Sequence, residues 1–142
     1  MTLYFDDINV GDPLPSLTTA PITETQLVRY AGASGDFNPI HTVSRAAEEA
    51  GLGGVIAHGM LIMGLAGRAI TDWVGIMPLR QFGVRFVGIA RPGQIITVTG
   101  QVVEKLEVAG EYQIRCQVMA ADQAGEPKVK GSFVAALPKR PA

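Results

Sequence analysis

The chain has 142 residues, 47% of them hydrophobic and 18% charged, enough for one domain with a sizeable core and too apolar for a disordered segment. Its net charge of −1 and pI near 6.1 argue against an electrostatic grip on nucleic acid or on an anionic membrane surface. The lone cysteine, Cys116, excludes an internal disulfide and fits a reducing compartment. Residues 1–142 are read as a single domain.

The opening Met-Thr-Leu-Tyr-Phe-Asp-Asp has neither a basic n-region nor an apolar h-region, so a cytoplasmic location is expected. Residues 3–13 read as an irregular lead-in closed by Gly11-Asp12-Pro13, and Leu14 to Thr19 predict a first strand. Thr23-Glu24-Thr25-Gln26 has the form of a capping box, with Ile22 and Leu27 at the two positions of a hydrophobic staple. That pattern predicts a helix from Glu24 that frays at Gly32. Ser44 can cap a short helix through Ala50, stopped by Gly51-Leu52-Gly53-Gly54.

From Gly59 to Val74 runs the longest helical stretch, with Gly75 as its stop and Pro78 beyond. Apolar residues, among them Leu61, Leu65, Ala66, Ala69, Ile70 and Trp73, surround most of the cylinder, which predicts a central position. His58 and Arg68 interrupt the apolar run around it, so no membrane span is expected. Gly64 and Gly67 each cost up to about 1 kcal/mol against alanine in a helix interior, so a sheet or a ligand should approach closely there.

Beyond Leu79 the period changes to two. Phe82, Val84 and Phe86 alternate with polar residues or glycine; Arg91-Pro92-Gly93 turns the chain; and Ile96, Val98, Gly100 and Val102 carry one face of the next strand. Ala109-Gly110 marks a hairpin, after which Tyr112, Ile114, Cys116, Val118 and Ala120 alternate cleanly. Gly125-Glu126-Pro127 turns into a last strand through Val129, Gly131, Phe133 and Ala135. Helices followed by four successive strands joined by tight turns predict an α+β fold, its antiparallel sheet curled around the long helix.

The stretch Tyr30 to His41 carries the chemistry. It brings Asp36 and His41 together in a segment that Gly32, Gly35 and Pro39 keep out of regular helix, with Pro39 biasing Asn38 toward extended geometry. Two proton-transfer side chains on an irregular loop suit acid–base catalysis. Asp-x-Asn-Pro is equally ordinary turn chemistry, and His41 can be a core histidine, so spacing alone leaves both readings open. His58 opens a second unusual segment, Ala57-His58-Gly59-Met60. Its separation from His41 matches no compact ligand motif and Cys116 lies far off, so no metal or other cofactor is expected. No Gly-x-Ser-x-Gly elbow surrounds Ser34, which suits a loop hydrogen bond better than nucleophilic attack. The unpaired N–H groups at the start of the long helix form a natural donor site for developing negative charge.

Taken together, Tyr30, Ser34, Gly35, Asp36, Asn38, Pro39, Ile40 and His41, followed by Ala57-His58-Gly59-Met60, resemble the MaoC-like family, the (R)-specific enoyl-CoA hydratases also called hydratase 2. Within it the chain looks most like the B-subunit type of mycobacterial (R)-3-hydroxyacyl-acyl-carrier-protein dehydratase, through Ala57 to Leu61, Thr71-Asp72-Trp73-Val74-Gly75 and Val84-Arg85-Phe86. The resemblance implies a hot-dog fold, a long central helix wrapped by a curved antiparallel sheet. It also implies a dimer with sheets joined edge to edge, a homodimer or a heterodimer. An acyl-CoA or acyl-carrier-protein thioester is the expected substrate, with reversible syn hydration of a trans-2-enoyl thioester as the reaction. Carried over by position, Asp36 and His41 form the catalytic pair and Gly59 supplies the oxyanion donor. Asn38, Ser34, His58 and Met60 shape the site or bind substrate, with His58 fixing the loop before the long helix. Gln94 departs from the acidic residue common after Pro-Gly in relatives. Two rival readings remain: a hot-dog thioesterase, which usually carries a carboxylate on the central helix, and a non-catalytic or partner-dependent subunit of a heterodimeric dehydratase.

Overall fold

The computed structural model describes residues 2–142. After a 3-10 turn at Phe5–Asp7 come β1 (Leu17–Thr18), α1 (Glu24–Ser34), a second 3-10 turn at Pro39–His41, α2 (Ser44–Glu49) and α3 (Gly59–Val74). The sheet follows with β2 (Leu79–Phe86), β3 (Thr97–Val108), β4 (Glu111–Ala121) and β5 (Pro127–Ala136). The strands form one antiparallel sheet in the order β1-β3-β4-β5-β2, and α3 touches each of the four long strands. This is the hot-dog arrangement. No helix among the described residues is long and apolar enough to cross a membrane.

Helix α1 starts where its sequence dictates. Thr23 is extended, and its hydroxyl accepts from the Gln26 N–H at 3.1 Å, while Ile22 and Leu27 on either side of the cap are both buried. The helix continues through Gly32 to Ser34, two residues past the expected fraying point, and ends at Gly35, whose φ of 75° only glycine adopts readily. The first strand is shorter than expected, because Pro13 and Pro15 offer no N–H to a ladder. Around them Leu14 and Thr19 still donate to the carbonyls of Gly100 and Ile96. Ser44 occupies the first helical position of α2, with Val43 as a cap that makes no side-chain bond.

Alternation on β3 and β4 does what period two requires: Val98, Val102, Ile114, Cys116, Val118 and Ala120 are buried against α3, while Thr99, Gln101, Arg115 and Gln117 face outward. From α3, Ile62, Ala66, Ala69, Ile70 and Val74 enter the same core. Burying one such leucine- or isoleucine-sized side chain contributes about 1.5–3 kcal/mol. Residues Val87 to Ile96 do not form the tight turn expected between successive strands. They carry the chain from β2 at one edge to β3 near the other, because β2 pairs with β5. At Gly131, where β5 lies between β4 and β2, an added Cβ would fall 2.8 Å from the Cα of Val84. The close approach expected on α3 occurs at Gly67, where an added Cβ would lie 3.4 Å from the Phe82 ring, whereas Gly64 faces open space.

Candidate active site

Three segments meet at the N-terminal end of α3. A run of side-chain acceptors sets the loop after α1: the Ser34 hydroxyl accepts from the Asp36 N–H at 3.1 Å, Asp36 Oδ1 from the Asn38 N–H at 3.2 Å, and Asn38 Oδ1 from the Ile40 N–H at 3.2 Å. Asn38 thereby caps the turn Pro39–His41, in which proline occupies a position where no donor is missed. The turn chemistry that the spacing allows is therefore present, and it is this turn that carries His41 toward Asp36.

That loop places Asp36 Oδ2 at 3.6 Å from His41 Nε2, with the aspartate side chain half exposed and the histidine buried. His41 Nδ1 lies 2.8 Å from the carbonyl oxygen of Ile56. A carbonyl only accepts, so Nδ1 carries the proton and Nε2 of the neutral ring is a bare acceptor facing the carboxylate. His58, fully buried, stacks on His41 with ring centroids 3.8 Å apart and planes 22° apart, and packs edge-to-face with Tyr30 at a centroid distance of 4.8 Å. Its Nε2 reaches the Asp36 carbonyl oxygen at 3.2 Å, while its Nδ1 finds no partner among the described residues. Burial first, then the neighbouring His41, hold its pKa below the ordinary histidine value against the opposing pull of Asp36.

Gly59 opens α3 immediately after His58, and the preceding Ala57 N–H is anchored to the Ala90 carbonyl at 2.8 Å. As the first residue of a 16-residue helix, Gly59 has an N–H without an intrahelical acceptor, at the positive end of the helix dipole. The Phe86 ring, from the end of β2, covers the Gly59 Cα so closely that an added Cβ would lie 3.0 Å from its Cδ1. Met60, next to Gly59 in the chain, is 56% exposed, and Phe37 and Phe86 are exposed as well. It is not plain core.

Asp36, His41 and His58 each offer a ligand atom within 4.8 Å of the others, but the set does not converge on an ion. The two rings lie in near-parallel planes, so a metal in the plane of one is out of the plane of the other, whereas a tetrahedral site needs both lone pairs aimed at one point. Cys116 is remote from the site and buried, its thiol pushed up to about 12 by burial; it is not a nucleophile at neutral pH. A groove of about 510 Å3 runs over the outward face of the sheet between Gln101, Gln117 and Lys130, and its lining shares no residue with the Asp36–His41 site.

Sequence reading singled out Asp36, His41, Ser34, Asn38, His58, Gly59 and Met60, and all of them fall in this region. It missed the carbonyls of Ile56 and Ala90, the Phe86 cover and the packing of Tyr30 on His58. Backbone acceptors leave no residue-type signal, and Tyr30 meets His58 only because α1 and α3 converge. Gln94, the departure noted above, accepts from the Arg91 N–H at 2.9 Å and donates to Asp122 at 3.2 Å.

Comparison with known proteins places the chain in a family and supports the fold. Residues 8–123 match the profile of the MaoC-like domain. An (R)-specific enoyl-CoA hydratase of Rhodospirillum rubrum is 30% identical over 96% of this chain and 93% of its own length. A fatty acid synthase beta subunit of Cochliobolus carbonum is 39% identical over 72% of this chain, but the match spans only 5% of that subunit. Among solved structures, an unliganded R-hydratase from Pseudomonas aeruginosa superimposes with a TM-score of 0.84 at 27% identity, covering 98% of this chain and 88% of the other. With the domain profile matching most of its length, the chain belongs to the MaoC-like domain family.

Proposed function

We propose that this chain is a hydro-lyase that adds water reversibly to a trans-2-enoyl thioester, giving the (R)-3-hydroxyacyl thioester, with CoA or acyl-carrier protein as the carrier. The observation that carries the reading is the pair of acceptors, Asp36 Oδ2 and His41 Nε2, 3.6 Å apart beside the start of α3. A water at an ordinary hydrogen-bond distance of about 2.8 Å from both would see them about 80° apart, narrower than its own angle of about 105° but within the bend such bonds tolerate. The pair therefore holds one water by both hydrogens, with a lone pair free to attack.

In this reading His41 Nε2 takes a proton from the water as its oxygen bonds to C3 and passes it to the Asp36 carboxylate 3.6 Å away, from which it is delivered to C2 on the same face. One water is thereby consumed and the pair ends as it began, a carboxylate and a neutral imidazole. As the C3–O bond forms, negative charge gathers on the thioester carbonyl, and the Gly59 N–H is the donor for it. One donor of this kind is worth about 3–4 kcal/mol elsewhere, and acid–base assistance about 10²–10⁴-fold. The thioesterase alternative lacks its carboxylate: Asp72, the sole acid on α3, sits in the far turn, mostly exposed and 3.5 Å from Arg68.

A second copy of the chain completes the proposal. One edge of β2 is unpaired among the described residues, and Phe86 and Val87 at its end are exposed, Phe86 against Gly59, so a partner on this edge would wall the acyl site. Loss of enoyl absorbance with crotonyl-CoA, with product chirality, tests the activity. Asp36→Asn should lower kcat by about 10²–10⁴-fold without changing the fold. A well-folded Asn variant with wild-type turnover would remove Asp36 from the mechanism, and release of free CoA would favour the thioesterase.

A further inference from the structure

His58 is an unusual residue to bury. It is 1% exposed at the N-cap of α3, yet its side chain makes no bond to the helix it precedes. Removing an imidazole from water is costly unless its nitrogens are paired, and here only one is. The Asp36 carbonyl can only accept, so His58 Nε2 carries the proton and donates. Nδ1 is then bare, buried and unpartnered among the described residues. A buried polar atom left without a partner calls for a reason beyond filling space.

The reason lies in what the ring touches. Its donor nitrogen holds the backbone of Asp36, its face lies 3.8 Å from His41, and the next residue in the chain is Gly59. We infer that His58 is the positioning residue of the site, setting Asp36 through its backbone and His41 through ring stacking, and that it does so as a neutral imidazole. This rests on the assignment of Asp36 and His41 as the proton-transfer pair. The titratable groups against the ring are Asp36 and His41 from the loop and Tyr30 from α1. A second positive charge stacked on His41 would oppose its protonation, whereas a neutral ring face favours the imidazolium that His41 becomes during turnover. Burial, which depresses the proton affinity of His58, keeps that face neutral.

Two substitutions in the full chain separate the two contacts. His58→Phe keeps a ring face on His41 and loses the donor to Asp36; His58→Gln keeps a donor and loses the ring. Each should lower kcat for crotonyl-CoA by at least about tenfold with KM changed less than about threefold, because the reacting groups are displaced while the substrate contacts remain. The chain has only two histidines, so proton NMR follows His41 alone in either variant. The His41 titration midpoint should fall by about half a pH unit in His58→Gln and stay near wild type in His58→Phe. Wild-type kcat in both variants, or an unmoved His41 midpoint in His58→Gln, overturns the inference, as does a kcat loss that only tracks the unfolded fraction. The NMR measurement needs no turnover, so it stands even if Asp36→Asn shows that the pair has been assigned the wrong chemistry.

Discussion

Asn38 is the residue whose role the geometry defines most sharply. Its side chain caps the turn that carries His41, accepting the Ile40 N–H at 3.2 Å, while its own N–H is held by Asp36. Asn38→Ala removes that acceptor and leaves the rest of the loop unchanged. Loss of an N-cap costs about 0.5–2 kcal/mol, typically near 1. The loop is exposed at this point, so water partly replaces the lost acceptor and the lower half of that range applies. If the whole cost falls on the arrangement that brings His41 to Asp36, a loss of about 1 kcal/mol lowers the equilibrium constant for that arrangement about fivefold, and kcat by up to the same factor. Asn38→Ser restores an acceptor of the preferred capping type and should return kcat to within about twofold of wild type. Steady-state kinetics of enoyl-CoA hydration on the three proteins, alongside their melting temperatures, decides the matter. Equal loss in the alanine and serine variants would refute the reasoning and place the Asn38 amide on the substrate instead.

Three other expectations follow from the fold. Gly131→Ala puts a Cβ against the backbone of Gly83 and Val84, where no flexible side chain can give way; a cost of about 1–3 kcal/mol should lower the melting temperature by about 4–10 °C, and an unchanged melt would mean that β2 and β5 adjust freely. Asp122 is buried and held below the usual carboxylate range by its hydrogen bond to Lys128 at 3.0 Å, helped by the N–H groups of Glu126 and Ala124. Its stabilisation is therefore complete above an unfolded-state pKa of about 3.9 and is lost as pH falls through the lower folded value. Melting curves of Asp122→Asn against pH should start lower at neutrality and decline less on acidification, and parallel curves would contradict this. Finally, if a second copy walls the site, specific activity should fall on dilution with the midpoint of dimer dissociation measured by sedimentation; full activity in a monomer would discard the partner.

Much of this was legible because the relevant signals are local. Thr23 and Gln26 mark a cap within four residues, the apolar girdle of α3 marks a central helix, and Tyr112 to Ala120 alternate without interruption. Legibility failed where a signal is shared or non-local. Gly32 and Gly35 are the same letter, but only Gly35 takes a left-handed φ, so α1 ends there. Period two tells which face of β2 is inward and says nothing about its neighbour, so pairing with β5 instead of β3 was hidden, and the long connection at Val87 to Ile96 with it. The site behaved likewise: the side chains proposed to carry chemistry were visible, and the carbonyls of Ile56 and Asp36 that fix the two imidazoles were not.

That division explains how a half-exposed loop can hold the proposed proton-transfer pair in register. A carboxylate and an imidazole on flexible side chains would lose much of their mutual orientation to rotamer entropy, which costs up to about 1.5–2 kcal/mol for a freely rotating side chain. Here each is held from behind. The Ile56 carbonyl fixes the plane and tautomer of His41, the Asn38 N–H fixes the Asp36 carboxylate, and the stacked His58 ties the two together. Ile56 is in turn held by the Ile40 carbonyl, and Ala57 by Ala90 of the long connection. The connection that breaks the simple order of strands thus also anchors the segment leading into α3. A change in the Val87 to Ile96 segment should therefore reach the site through Ala90 and Ala57, by moving Gly59 relative to the pair, without touching Asp36 or His41.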